Sequence, residues 1–274
     1  MIRLSNLGTR VLVSIVGIPL ILGVCIVGKI PFVIFTLLIA LASYYEFSAM
    51  VLNKKHFTNN FVGYFSVSLI VLNTYFNFVE FELMLFIIIS VLFLVELIRN
   101  KESAVSNVGS TLIGIFYIGL FVSGMILLRE FYSDSHFTYD QGGYLIISIF
   151  AAIWICDSAA YFVGSAIGTH KILPRISPQK SWEGAIAGFI FSVVGMIAAR
   201  FIVLDFLSLV DTVVIGIIIG TFGQAGDFIE SMLKRDVNVK DSSSIIPGHG
   251  GIFDRFDSLI FSAPLIFLYL KFFA

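Results

Sequence analysis

The sequence predicts an all-α fold: a polytopic integral membrane bundle of about nine transmembrane helices with the N-terminus in the cytoplasm. Three observations carry this prediction. The 274 residues are 58% apolar and only 13% charged, against roughly 45–50% and about 25% in ordinary soluble domains. The mean hydropathy is +0.99. The apolar residues also form unbroken runs, such as Leu85-Phe86-Ile87-Ile88-Ile89, where the strands of a membrane barrel would alternate apolar and polar. Backbone groups in hydrocarbon must pair internally, so a non-alternating run that crosses does so as a helix. A soluble globular enzyme, a disordered chain and a small disulfide-stapled domain are thereby excluded.

A span needs about 20 mostly apolar residues. The runs lie at 11–28, 31–51, 61–79, 83–98, 108–128, 144–167, 184–204, 212–226 and 257–273, the fourth and eighth being short for a span. Arg3 and Arg10 before the first run suggest a signal peptide. That run is of span length, shows no small-x-small cleavage site and is followed by further spans, so a retained helix is expected. With the N-terminus inside, the cytoplasmic segments carry Arg3, Arg10, Lys54, Lys55, Arg99, Lys101, Lys171, Arg175, Lys180, Lys234, Arg235, Lys240 and Arg255, thirteen of the 17 Lys and Arg. The other side receives Lys29, Arg129, Arg200 and Lys271, together with Glu80, Glu82, Glu130, Asp134, Asp140, Asp205 and Asp211. Positive loops stay inside, so nine spans form a coherent topology. The expected division is 1–143, with about five spans, and 144–274, with the remaining spans and the polar segments that carry chemistry. A net charge of −1 gives no pull toward nucleic acid. Cys25 and Cys156 lie in apolar runs and make neither a disulfide framework nor a zinc site.

From Asp227 to Asp257 the chain places 10 of its 35 charges in 31 residues. If the eighth helix continues past Gly226, then Asp227, Glu230, Ser231 and Lys234 share one face. Asp254 and Asp257, three apart at the start of the ninth, share another. Two helix-borne acid sets flanking a loop suit a hard cation, and Mg²⁺ favours one or two carboxylates plus substrate phosphates. Lys234, Arg235, Lys240 and Arg255 suit phosphate oxygens. Pro247-Gly248-His249-Gly250-Gly251 can turn backbone N–H groups inward around an anion. A solvated loop with surface ion pairs would explain a charge run alone. It does not explain acids set against apolar helix ends beside bases and glycines, which point to phosphoryl or nucleotidyl chemistry.

A second cluster runs from Asp157 to Tyr161 in the sixth span and from Ser177 to Gly184 after it. A carboxylate inside an apolar helix is costly and faces a cavity or a partner, so Asp157 is a functional candidate. Lys180, at a loop-to-helix junction, is a candidate phosphate contact. Ser177-Pro178 also reads as an ordinary helix start, and Trp182 as an interface anchor. Glu46 and Glu96 near cytoplasmic span ends are read as structural, Glu96 pairing with Arg99. The spacings Gly184/Gly188 and Gly216/Gly220 fit small-residue helix packing, weak support for a dimer. His56, His136 and His170 are scattered and suggest no metal set. No phosphate loop, H-E-x-x-H or G-x-S-x-G motif occurs.

The stretch Ser231-Met-Leu-Lys234-Arg235, Lys240-Asp241 and Ile246-Pro247-Gly248-His249-Gly250-Gly251-Ile252-Phe253-Asp254-Arg255-Phe256-Asp257 resembles the C-terminal signature of the phosphatidate cytidylyltransferases throughout its 27 residues. The Asp157…Tyr161 and Ser177…Gly184 elements are similar as well, and the likeness covers roughly 150–274. The resemblance implies an all-helical membrane enzyme that joins CTP and phosphatidic acid into CDP-diacylglycerol and pyrophosphate. It also implies divalent-metal dependence, with K⁺ as a second cation beside Mg²⁺, and a homodimer. On that basis Asp227 and Asp254 bind the metal. Asp157, Asp241 and Asp257 complete its shell or orient the cations, Asp257 being counted among the ligands. Lys180, Lys234, Arg235, Lys240 and Arg255 hold phosphates. His249 with Gly250 and Gly251 shapes the pyrophosphate pocket, and Tyr161, Ser177, Ser181 and Ser231 are further substrate contacts. The lack of long tails resembles bacterial members, so a bacterial cytoplasmic (inner) membrane is expected.

Two competing readings carry different signatures. An ion-coupled transporter could use Asp157 as its coupling acid, yet would place binding groups near the midplane at paired broken helices. A CDP-alcohol phosphotransferase would carry a D-G-x-x-A-R…G-x-x-x-D-x-x-x-D pattern, which is missing here.

Overall fold

The computed structural model describes residues 6–131, 138–243, 245–246 and 250–274. Among them are nine helical rods: α1 (Asn6–Val27), α2 (Lys29–Val51), α3 (Asn60–Phe76), α4 (Phe81–Ile98), α5 (Ala104–Arg129), α6 (Tyr139–Ile167), α7 (Trp182–Ile202), α8 (Leu209–Asp236) and α9 (Phe253–Phe273). The fold is all-α, and the protein is a multi-pass membrane protein. Seven of the rods are long and apolar enough to cross a membrane. The two shorter apolar helices are Val13–Val27 and Asn60–Phe76. The expected short helices were the fourth and the eighth, yet α4 has 18 residues and α8 has 28. The apolar run of α8 stops at Gly226 because its last turns carry Asp227, Glu230, Lys234, Arg235 and Asp236. The helix itself continues, and it brings those charges with it.

Local chemistry sets the helix ends. Asn59, Ser103, Ser181 and Ser208 accept hydrogen bonds from backbone N–H groups in the first turns of α3, α5, α7 and α8, satisfying donors that have no intrahelical partner. α5 and α8 are each interrupted by a π-helical stretch, Gly114–Leu120 and Ile219–Gly223. Such stretches insert an extra residue into the turn, re-aim the side chains beyond it and are frequent at functional sites.

One hydrophobic core runs through the molecule from Phe32, Tyr44 and Phe47 to Ile149, Ile215, Phe253 and Ile266. Polar contacts join the rod ends as an alternating bundle requires. At one end Lys54, after α2, meets Asp236 at the end of α8, and Arg99, after α4, reaches the Thr58 carbonyl before α3. At the other end Arg129 of α5 meets the last carbonyls of α1 and the first of α6, and Tyr269 of α9 meets Asp211 of α8. The small-residue spacings are used inside the chain. A Cβ at Gly184 would lie 3.1 Å from the Gly164 Cα of α6, and one at Gly216 would lie 2.6 Å from the Val193 Cα of α7. They pack α6, α7 and α8 together and give no support to a dimer.

Candidate active site

The functional candidates gather where the ends of α2, α6 and α8 meet the starts of α7 and α9. Asp227, Glu230, Ser231 and Lys234 do share one face of a continuous helix, as the 3.6-residue period dictates. Gly226 lets α9 approach that face closely, since a Cβ there would lie 2.6 Å from the Asp257 carbonyl oxygen. The crossing brings Asp227 and Asp257 together with Glu230. One carboxylate oxygen from each lies within 4.8 Å of the others. Glu230 was not among the expected ligands.

The three acids are unevenly satisfied. Asp227 Oδ2 is 2.5 Å from Lys180 Nζ, and Asp227 Oδ1 accepts from the Ser231 hydroxyl at 3.4 Å. Asp257, only 9% exposed, accepts the Ser258 N–H at 2.6 Å. Glu230 is 0% exposed. Lys234 Nζ lies 2.5 Å from Glu230 Oε2, but neither oxygen of that carboxylate has a hydrogen-bond partner among the described residues. A buried carboxylate left this way is strongly penalised. The donor set, all hard oxygen, fits a hard cation such as Mg²⁺. Asp157 of α6 lies within electrostatic reach of Asp227, Lys180 and Arg255, adding a further carboxylate beside the cluster.

Asp254 is engaged elsewhere. Its Oδ1 accepts from Lys234 Nζ at 2.5 Å. Its Oδ2 accepts from the Ser242 hydroxyl and the Ser242 and Gly251 N–H groups at 2.6, 3.1 and 2.9 Å. The three mutually close acids are Asp227, Glu230 and Asp257, and Asp254 borders them, its carboxyl facing that of Glu230. Lys234 bridges Glu230 and Asp254 and links the cluster to the loop before α9.

The remaining candidates divide into engaged and free. Lys180 also sits 4.3 Å over the Phe228 ring, aimed by a loop whose Lys171 and Ser181 form a bridge. Arg235 donates to the Ile176 and Val239 carbonyls at 3.1 and 2.8 Å, fastening that loop to α8. Ser181 is buried as the cap of α7. Ser177 closes a turn through its N–H to the Leu173 carbonyl at 2.9 Å. Lys240, Asp241 and Arg255 are exposed, and none makes a side-chain hydrogen bond or ion pair among the described residues. Tyr161 is exposed on α6. Gly250 takes φ +82°, and a Cβ on Gly251 would fall onto the Ser242 hydroxyl. His249 lies outside the described residues.

Glu46, read from the sequence as structural, holds the site together. Fully buried at the end of α2, it accepts the Ile252 and Phe253 N–H groups at 2.9 and 2.8 Å and the Ser242 and Ser243 hydroxyls at 3.1 and 2.6 Å. It caps α9 from about 200 residues away and fixes the loop that carries Asp241 and Gly251. Its only trace in the sequence is a carboxylate within an apolar run.

The sequence pattern of the cytidylyltransferase family matches residues 8–273. The chain belongs to that family. As a member it is a nucleotidyltransferase enzyme, which removes the transporter reading. Curated relatives named phosphatidate cytidylyltransferase include one from Bacillus subtilis (strain 168), 32% identical over 274 residues, covering 97% of this chain and 98% of its own. One from Staphylococcus saprophyticus is 31% identical over 261 residues, covering 94% and 96%. A third, from Haemophilus influenzae, is 44% identical over 161 residues, covering 56% and 54%.

Proposed function

We propose that this cytidylyltransferase moves CMP from CTP to phosphatidic acid, giving CDP-diacylglycerol and pyrophosphate, at the cytoplasmic face of a bacterial inner membrane. The observation that carries the reading is the half-buried, incompletely paired cluster of Asp227, Glu230 and Asp257 with Lys180 and Lys234 tied to it. It lies in a chain whose relatives bear that enzyme's name. A phosphate oxygen of phosphatidic acid attacks the α-phosphorus of CTP, and the bond to the pyrophosphate oxygen breaks. A phosphate monoester with a second pKa of about 6 is already largely ionised near neutrality, so no strong general base is needed. The barrier is charge repulsion and alignment.

Mg²⁺ would be held by Asp227, Glu230 and Asp257, and when bound it neutralises and orients the phosphates. Lys240 and Arg255, without ion pairs among the described residues, make the first contacts to the CTP phosphates. Lys180 and Lys234, paired with Asp227 and with Glu230 and Asp254, would be the cationic groups available to phosphate, and Asp254 would be the further ligand the resemblance implies. Asp157 and Asp241 orient the cationic side chains. Ser177 and Tyr161 line the approach, Ser181 and Ser231 support it from within through the α7 cap and Asp227, and Gly250 and Gly251 lie on the pyrophosphate side. K⁺ as a second cation rests on the resemblance alone. The lipid enters sideways, and a groove of about 530 Å³ lined by Trp154, Ile155, Ser158, Phe162 and Phe191 opens on the α6–α7 face. The N-terminus in the cytoplasm follows from the charge asymmetry. The homodimer rests on the resemblance alone. The division at 143 and 144 is one of chemistry, since the core is continuous across it.

The test is to mix the detergent-purified chain with CTP labelled in its cytidine moiety, phosphatidic acid and Mg²⁺, with and without EDTA. Label should pass into the lipid phase only when the metal is free. Label that stays in water across Mg²⁺, Mn²⁺ and K⁺ salts, with a folded preparation, overturns the reading.

A further inference from the structure

Tyr117 lies in the π-helical stretch of α5, in the half of the chain with no expected site residue. Its hydroxyl is buried and has no hydrogen-bond partner among the described residues. Its ring is set against Phe253 and Phe261 of α9, with centroids at 6.1 and 6.4 Å. Those two residues stand one turn before and one turn after Asp257, so all three occupy one face of α9. The ring therefore spans the level of Asp257, and the hydroxyl is within electrostatic reach of Asp257, Glu230 and Asp227. The second π-helical stretch, in α8, ends at Gly223, one turn before Asp227. Both helical irregularities thus adjoin the same acid cluster.

A buried hydroxyl without a partner is destabilising, and phenylalanine at this position would keep the ring contacts without that cost. The hydroxyl faces a surplus of acceptors and is a donor. Mg²⁺ keeps several of its waters when bound by few carboxylates, and groups that orient the shell of a bound ion change its affinity by 10–100-fold. We propose that Tyr117 is a positioning residue of the cation site, its hydroxyl donating to a water carried by the ion and so fixing the ion against Asp227, Glu230 and Asp257. This rests on the cation reading given above.

The experiment measures Mn²⁺ binding to the full chain in detergent, without substrates, by the electron paramagnetic resonance of free Mn²⁺. Tyr117→Phe should weaken Mn²⁺ binding about 10–100-fold and leave the melting temperature of the metal-free protein unchanged or raised. Phe121→Leu, which loosens the same aromatic group without removing a hydroxyl, should bind as the unaltered chain does. Unchanged affinity in Tyr117→Phe, beside lost binding in Asp227→Asn, overturns the role of Tyr117 and leaves the cation reading standing. Equal weakening in Phe121→Leu also overturns it, because packing then explains the effect. Failure of the unaltered chain to bind Mn²⁺, or full binding in Asp227→Asn and Asp257→Asn, overturns both.

Discussion

At one end of the bundle Arg129 is buried completely, and its guanidinium is used up. Nε donates to the Cys25 carbonyl at 2.5 Å, Nη2 to Ile26 at 2.9 Å and Nη1 to Tyr139 at 3.0 Å, while the ring of Tyr139 stacks 4.3 Å away. Glu130 beside it accepts from the Tyr139 hydroxyl and the Lys29 N–H at 2.9 and 3.2 Å. At the other end Glu230 is equally buried, and its oxygens lack hydrogen bonds among the described residues. Both ends bear the desolvation cost of charge in a membrane protein. The first recovers it through a full set of hydrogen bonds, the second only through the ion pair of Glu230 with Lys234. A matched buried charge fastens helices; an incompletely matched cluster is what the proposed function assigns to a cation and to phosphates.

Removing charge from the unmatched end should therefore cost activity and spare the fold. Asp227→Asn should lower transfer of labelled CMP into lipid by about 10³-fold or more, some 4 kcal/mol of barrier, with the melting temperature held or raised. Near-native turnover in a folded Asp227→Asn protein would break the comparison.

The matched end should show the reverse. Arg129→Leu strips donors from three carbonyls, two of them at the end of α1 and one at the start of α6. The expected loss is about 2–4 kcal/mol of stability, since each buried acceptor left unpaired costs about 1–3 kcal/mol and relaxation recovers part of it. Denaturant titration in detergent measures this, with turnover per folded molecule retained. If activity falls while stability holds, the two ends are coupled in a way their hydrogen bonds do not describe.

Glu46 sharpens the contrast because it lies at the reactive end yet is fully matched. Glu46→Gln keeps the shape and removes the charge that four donors address. Hydrogen bonds to charged groups contribute about 1.5–3 kcal/mol, so stability should fall by about 2 kcal/mol. The loop before α9 should loosen, seen as faster amide exchange at Ile252 and Phe253. An unchanged exchange rate there would show that the loop is held by other contacts.

The sequence shows the rods and one face of the site because both are periodic. The nine apolar runs mark the helices, and the spacing of Asp227, Glu230 and Lys234 predicts a shared face once α8 is continued past Gly226. What it hides is who pays for each charge. The partners of Glu46 lie 196 to 207 residues away, and those of Arg129 include carbonyls more than 100 residues distant. No local period records such pairs. The use of Asp254 on Lys234 and Ser242 in place of the acid cluster is hidden for the same reason. Tyr117 sits in a run of apolar residues where a hydroxyl leaves no contrast, and the π-helical turn that aims it has no signature in composition.

The smallest expected effect tests whether burial is what sorts these charges. Lys54 Nζ and Asp236 Oδ1 are 3.0 Å apart and join α2 to α8, but their side chains are 38% and 62% exposed. An exposed pair of this kind contributes about 0–1 kcal/mol, and salt screens it over about 8 Å at physiological ionic strength. Lys54→Ala should shift the melting temperature by no more than about 2–4 °C, the shift should shrink as salt is raised, and transfer activity should stay as it was. Lys234, bonded to Asp254 and set against Glu230 in the protein interior, differs from Lys54 mainly in exposure. A loss from Lys54→Ala as large and as salt-insensitive as that from Glu46→Gln would mean that the connection between helix ends, and not burial, decides which charges hold the bundle.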